Sequence, residues 1–254
     1  MRTLARIEGR YGEILIVEEL ATGTRRYYEG GAFQSHALPN GESCFAYVHI
    51  MCELLRRKRR ILLLGCGAGS LATMLSRRGA QVTLVDHNPT SFELAKEYFG
   101  LPTDVRCFQA DYLDFLAFKA HEYDAIGIDV GNDTFDFREE FDGMTCRMID
   151  RALAADGVAV INMMASHDVD PTADLIATLM TSPARSTWIL DQMGLVERNA
   201  VIVASKGVKP RLDLDRFPEA LHEELETWSV RTSRLKSDTV VRPFPALRRG
   251  PERE

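Results

Sequence analysis

Ile61-Leu62-Leu63-Leu64-Gly65-Cys66-Gly67-Ala68-Gly69-Ser70 is an apolar run followed by glycines at alternate positions. The run reads as a buried parallel strand. The glycines read as a tight turn that a ligand can approach closely, because glycine tolerates positive φ and has no side chain. Residues 71–78 have helical spacing. A second apolar strand, Gln81-Val82-Thr83-Leu84-Val85-Asp86, ends on an acid. That acid falls about 20 residues after the first glycine, where a ribose-binding carboxylate belongs. Strand, glycine turn, helix and strand-ending acid together describe a nucleoside-binding half-fold. The plain alternative is an ordinary strand–turn–helix.

The glycine spacing separates ligand classes. A dinucleotide site places its third glycine three residues after the second. Here Gly69 follows Gly67 by two, and Ser70 takes the dinucleotide position. The Lys-Ser/Thr pair of a phosphate-binding P-loop is missing. The turn resembles the G-x-G-x-G of class I S-adenosylmethionine (SAM) enzymes.

Bulk composition narrows the alternatives. The chain has 254 residues, 45% hydrophobic and 27% charged, with a formal net charge of −6. Those fractions suit a globular protein, and the acidic balance gives no global footprint for nucleic acid. No apolar run is long enough to span a membrane, and the N-terminus lacks the apolar core of a signal peptide. The five cysteines are scattered and odd in number. They suit a reducing cytoplasm rather than a disulfide framework or a zinc site. The six histidines show no metal-ligand spacing, so no metal is expected.

Residues 13–35 read as a three-stranded β-meander, too small to stand alone and so expected to cap the main domain. Residues 44–55 have helical spacing, and the basic run Arg56-Arg57-Lys58-Arg59-Arg60 reads as a solvated helix end. Helices are expected over 91–99, 112–118, 138–155 and 170–180. Strands are expected over 105–109, 123–128, 158–163, 186–190 and 200–205. The alternation argues for an open, mostly parallel sheet covered on both faces. Three divisions are expected: a strand cap over 1–40, a Rossmann-like domain over 41–208, and a C-terminal helix with a basic tail over 209–254.

Ligands of such sheets bind beyond the carboxyl ends of the strands. Three acids fall there: Asp86 for the ribose hydroxyls, Asp111 near the adenine amino group, and Asp129 facing the reacting end of the ligand. The plain alternative for each is a helix cap.

At these motifs the chain resembles the spermidine synthase-like family of polyamine aminopropyltransferases, which share the class I SAM methyltransferase fold. Glu29-Gly30-Gly31-Ala32-Phe33-Gln34 is similar to the family's D-G-x-x-Q, and Val85-Asp86-His87-Asn88-Pro89 to its V-E-I-D-P. The glycine turn, Ala110-Asp111-Tyr112 and residues 123–129 extend the likeness over about 11–207. It implies a seven-stranded Rossmann-like sheet and a homodimer. It implies SAM or decarboxylated SAM as co-substrate, held by Gly65, Gly67, Ala68, Gly69, Asp86, His87, Asp111 and Tyr112. It implies Asp129 as the catalytic carboxylate, with Gln34, Tyr47 and Asp133 at the acceptor. The departures fall where the reaction is decided. Ala68 stands where the family has the acid that meets the aminopropyl amine. Asn132 stands where it has the second acceptor acid, with Asp133 one place on. Phe45-Ala46-Tyr47 replaces Y-H-E.

Two readings follow. One is a cytoplasmic transferase moving an aminopropyl or a methyl group to a small amine-like acceptor such as a polyamine. The other is a nucleoside-binding protein that has lost catalysis.

Overall fold

A computed structural model describes residues 1–131, 135–165, 170–207 and 209–235. The expected acceptor residue Asp133 lies outside them, as do Asn132, His167 and the basic tail from 236. The chain opens on β1 (Arg2–Gly9), β2 (Gly12–Glu18), β3 (Arg25–Glu29) and β4 (Ala32–Ala37), a four-stranded antiparallel sheet in that order. The expected meander had three strands. The extra one, β1, carries a register shift between Thr3 and Ala5. That bulge breaks the two-residue alternation by which strands are read, and lets Leu4, Ala5 and Ile7 all pack inward.

There follow α1 (Ala46–Leu55), β5 (Arg60–Leu64), α2 (Ser70–Arg77), β6 (Gln81–Asp86), α3 (Pro89–Phe99), β7 (Arg106–Gln109), α4 (Tyr112–Ala117) and β8 (Tyr123–Ile128). Then come α5 (Phe137–Glu140), α6 (Gly143–Ala152), β9 (Leu153–Ala165), α7 (Thr172–Met180), β10 (Ser186–Asp191), β11 (Arg198–Ser205), α8 (His222–Glu226) and β12 (Ser229–Arg231). The main sheet runs β12-β10-β11-β9-β8-β5-β6-β7. Strands β9 through β7 pair in parallel, and β11, β10 and β12 join antiparallel.

The sheet has eight strands rather than seven. The eighth, β12, lies just past the expected helix, which is cut to two 3₁₀ turns and α8. The helix expected over 138–155 is also divided. Asp142 accepts from the Met144 and Thr145 amides at 2.8 Å each and starts α6 afresh. Its end at Ala152 leaves β9 to begin five residues before the expected strand.

Alternating residues of the central strands feed two cores. Ile61, Leu63, Ala125 and Val160 pack with α1 and α2, while Leu62, Leu64, Ile126, Ile128 and Ile161 pack with α6 and α7. A third cluster, with Ile14, Ile16, Tyr27, Leu94 and Phe99, fastens the meander to α3. This packing brings β4 and α1 over the carboxyl ends of β5, β6 and β8.

Candidate active site

At the end of β5 the chain turns through Gly65, whose φ is +94°. A Cβ there would lie 2.1 Å from the Asp129 carbonyl oxygen, so the two strand ends touch only because Gly65 has no side chain. The Asp129 amide donates to the Leu64 carbonyl at 2.9 Å and completes the join. A Cβ on Gly67 would meet Ser35 Oγ at 2.9 Å, so β4 is seated directly on the glycine loop.

Asp86 ends β6 and holds that loop. Its Oδ2 accepts from the Cys66 amide at 2.7 Å and its Oδ1 from the Asn88 amide at 2.7 Å. Burial raises its pKa, and the Asn88 and Cys66 amides oppose that rise. Each oxygen keeps a further lone pair for a ligand hydroxyl. A second acid stands nearby that the sequence reading did not single out. Glu29 of β3 accepts from Asn88 Nδ2 at 3.0 Å and from the Tyr27 hydroxyl at 3.2 Å. Its pKa is raised by burial and, more weakly, by Asp86. His87 is held from the β1–β2 turn, its Nδ1 3.3 Å from the Tyr11 hydroxyl.

The other expected cofactor residues are engaged differently. Asp111 Oδ1 accepts from the Leu113 amide at 2.8 Å and the Asp114 amide at 3.3 Å, capping α4. The cap role therefore holds, and Oδ2 is the oxygen left for a ligand. Tyr112 donates to Glu140 Oε2 at 3.2 Å and stacks on Phe141. Ala68 is 1% exposed and its side chain belongs to the core under the meander. It offers the site only its amide, which donates to Ser35 Oγ at 3.2 Å.

Asp129 follows β8 and faces α1. The Tyr47 hydroxyl donates to its Oδ2 at 3.3 Å and Asn162 Nδ2 to its Oδ1 at 2.8 Å. Burial raises the Asp129 pKa, and those two donors oppose it. The Tyr47 phenol is pushed well up by burial and by Asp129. The cleft before Asp129 is lined by Ser35, Phe45, Tyr47, Gly65, Cys66 and Ser70, among others. Gln34 does not line it. The β3–β4 register passes from Tyr27↔Ser35 to Tyr28↔Phe33, so Gln34 is the extra residue of a bulge and Ser35 reaches the glycine loop. Cys66 has its pKa pushed well up by burial and reads as a packing residue.

The sequence reading gave no role to Ser35, Glu29, Phe45 or Asn162, although Glu29 and Phe45 lie in the motifs it compared. Asn162 left a signal: a lone amide near the carboxyl end of the apolar run Val158-Ala159-Val160-Ile161-Asn162. Among the described residues no group of three or more metal-ligating side chains converges, and no helix is long and apolar enough to cross a membrane.

The residues at the glycine loop suit the polar end of an adenosyl sulfonium compound. Ser70, the first residue of α2, is 8% exposed, lines the cleft, and its Oγ has no hydrogen-bond partner. A buried orphan hydroxyl at a helix N-terminus, beside free room over the glycine loop, suits an anionic or polar ligand group.

Residues 61–157 match the Methyltransferase domain family. Two curated relatives match part of the chain. The chain is 41% identical over 70 residues to a ubiquinone biosynthesis O-methyltransferase of Methylocella silvestris, covering 26% of each chain. It is 33% identical over 79 residues to the mitochondrial ubiquinone biosynthesis O-methyltransferase of Schizosaccharomyces pombe, covering 29% of this chain and 27% of that one. The chain thus spans about a quarter of the length of these relatives. Among solved structures, a probable spermidine synthase from Corynebacterium glutamicum superposes with a TM-score of 0.73 at 17% identity over 90% of both chains. Spermidine synthase from Thermotoga maritima superposes at 0.63 and 16% identity, over 94% of this chain and 82% of that one. The chain has a spermidine synthase-like class I SAM methyltransferase fold, with a mostly parallel central sheet and a small antiparallel N-terminal sheet.

Proposed function

We propose that this chain is a SAM-dependent transferase that moves a methyl group to a small acceptor, with Asp129 taking the acceptor's proton. The arrangement around Ala68 carries the choice of cofactor. Where an aminopropyl donor needs an acid for its amine, this site offers the Ser35 hydroxyl, oriented by the Ala68 amide, and the orphan Ser70 hydroxyl at the start of α2. Donors at a helix N-terminus suit the α-carboxylate of SAM, and an acid there would repel it. Asp86, with Asp111, takes the adenosine; Gly65, Gly67 and Gly69 give its approach. SAM supplies an activated methyl group. The protein's share is positioning and electrostatics.

Asp129 is built for proton acceptance. It sits beside the reacting position, oriented by Tyr47 and Asn162. Its raised pKa brings it nearer the operating range of a general base. Asp129→Asn is expected to lower kcat by at least about 100-fold with SAM affinity nearly unchanged; full turnover by this variant would refute the assignment. The base works ionised, so activity rises with pH through the raised pKa. The acid limb should lie above the ordinary aspartate value of about 3.9. Tyr47→Phe removes a donor that favours the ionised form, and should move the limb further up. A limb that stays put contradicts the coupling. The same shift has a stability sign. A carboxylate whose folded pKa is raised gives stability below its unfolded pKa and loses it as pH rises through the folded one. Asp129→Asn should therefore be neutral or stabilising at neutral pH.

Aminopropyl transfer from decarboxylated SAM is the second reading, favoured by the superposition on spermidine synthases over 90% and 94% of the chain and by Asp129 itself. Product analysis separates the two: S-adenosylhomocysteine from methyl transfer, methylthioadenosine from aminopropyl transfer. Binding with neither product would mark a protein that keeps only the pocket.

A further inference from the structure

A second concavity, an open groove, shares no lining residue with the cleft at the glycine loop. Its volume is about 610 Å³, the size of a small-molecule site. One wall is the stretch 209–214. There Leu212 and Leu214 are half-buried and pack against the core, whereas Arg211 and Asp213, at the alternate positions, are exposed. The other wall is α8 with β12. Leu225 and Trp228, three residues apart, are both buried, and Val230 follows them along the groove. The groove therefore has an apolar floor continuous with the core beneath it.

The charges on the rim fix the polarity of what can lie there. Lys209, Arg211 and Glu226 line the groove, two cations against one carboxylate. Neighbouring Arg216 is fully engaged, with Glu53 at 2.7 Å and Asp213 at 2.9 Å. Lys209 and Arg211, by contrast, make no ion pair among the described residues. Guanidinium groups match carboxylates through two parallel hydrogen bonds. An anionic head on an apolar chain satisfies both the rim and the floor, whereas a cationic head would meet two like charges. None of the lining side chains is among the large apolar groups that project from the surface. The floor is thus reached by a single chain that enters the groove, and no apolar side chain reaches out from it to a bilayer.

We propose that this groove is a second ligand site, which takes a free single-chain amphiphile with a carboxylate head. The chain lies along Leu212, Leu214 and Trp228, and the head meets Arg211 and Lys209. The site stands independently of the transfer reaction, because no residue of the glycine loop or of the Asp129 surroundings takes part in it.

The test titrates decanoate, decyltrimethylammonium and acetate into the full chain below their micellar concentrations, followed by calorimetry and by tryptophan emission. Decanoate should bind at least about tenfold more tightly than acetate, through burial of its methylene groups, and about tenfold more tightly than decyltrimethylammonium, through the two rim cations. Lys209→Glu combined with Arg211→Glu, both at exposed positions, should reverse the preference between the two long-chain ligands and leave the melting temperature unchanged. The chain has two tryptophans, and Trp188 does not line the groove, so the emission change on adding decanoate should disappear in Trp228→Phe. Decyltrimethylammonium binding as tightly as decanoate, a preference indifferent to the charge reversal, or an emission change that persists in Trp228→Phe would each overturn the proposal. So would the absence of binding by any of the three, the result expected if the chain's own residues beyond 235 fill the groove.

Discussion

Gly65→Ala is expected to abolish turnover, by well over about 100-fold, and to destabilise the fold. The backbone at this position lies at φ +94°, a region that side chains other than glycine's rarely adopt. A methyl group would also sit 2.1 Å from the Asp129 carbonyl oxygen and 2.8 Å from its carbon. Both obstacles are main chain, so no rotamer relieves them. The strand ends of β5 and β8 must separate. That separation carries Asp129 away from Tyr47 and Asn162, and misplacement of a catalytic group by about 1 Å costs on the order of 100-fold in rate. Circular dichroism and thermal unfolding of the variant, beside its kcat, give the check. A variant with wild-type kcat and melting temperature would mean that the two strand ends are not held as described.

The second large effect lies at the far edge of the sheet. Asp174 on α7 is 1% exposed and Asp191 at the end of β10 is fully buried. Arg231 of β12 bridges them, its NH1 2.7 Å from Asp174 Oδ1 and its NH2 3.0 Å from Asp191 Oδ2. Arg234 adds a contact to Asp174 Oδ2 at 2.9 Å. Burial raises the Asp174 pKa, but the Arg234 and Arg231 contacts together outweigh it and hold the carboxyl below its ordinary value. A depressed carboxylate contributes stability above its unfolded pKa and loses it as pH falls through the folded one. Asp174→Ala takes from Arg231 one of its two buried carboxylate partners, and breaking a buried pair from one side costs about 3–5 kcal/mol. The expected result is a melting temperature lowered by several degrees or more, β12 detached, and a loss of the acid-induced destabilisation expected of the parent. An unchanged melting temperature would show that this cluster does not fasten β12. The cleft lies across the sheet, so SAM affinity in the folded fraction should stay close to that of the parent.

The glycine loop and the acid that holds it were legible because their arrangement is local. The apolar run, the glycine spacing and Asp86 lie within a single strand–turn–helix–strand unit, where sequence distance fixes spatial distance. Asp129 was legible from its place at a strand end. What escaped depends on long-range packing or on broken periodicity. Ser35 replaced Gln34 at the loop because a one-residue bulge reverses which side chains face inward. Strand β1 hid behind a bulge of the same kind. Phe45, through Tyr47, and Asn162 reach the surroundings of Asp129 only when α1 packs on β8 and β9, and no local pattern encodes that packing. Asp111 caps α4 through Oδ1 just past the carboxyl end of β7, and spacing alone could not distinguish a cap from a ligand contact. The division of residues 138–155 turned on Asp142-Gly143, a cap sequence inside a helical pattern.

The account turns on whether the loop from Gly65 to Gly69 holds an adenosyl compound. A crystal structure of the protein grown with S-adenosylhomocysteine tests this most directly. The expected density places the ribose hydroxyls within hydrogen-bonding distance of Asp86 and the thioether sulfur towards Asp129. An empty cleft at saturating ligand, or a ligand lodged with its ribose away from Asp86, would contradict it.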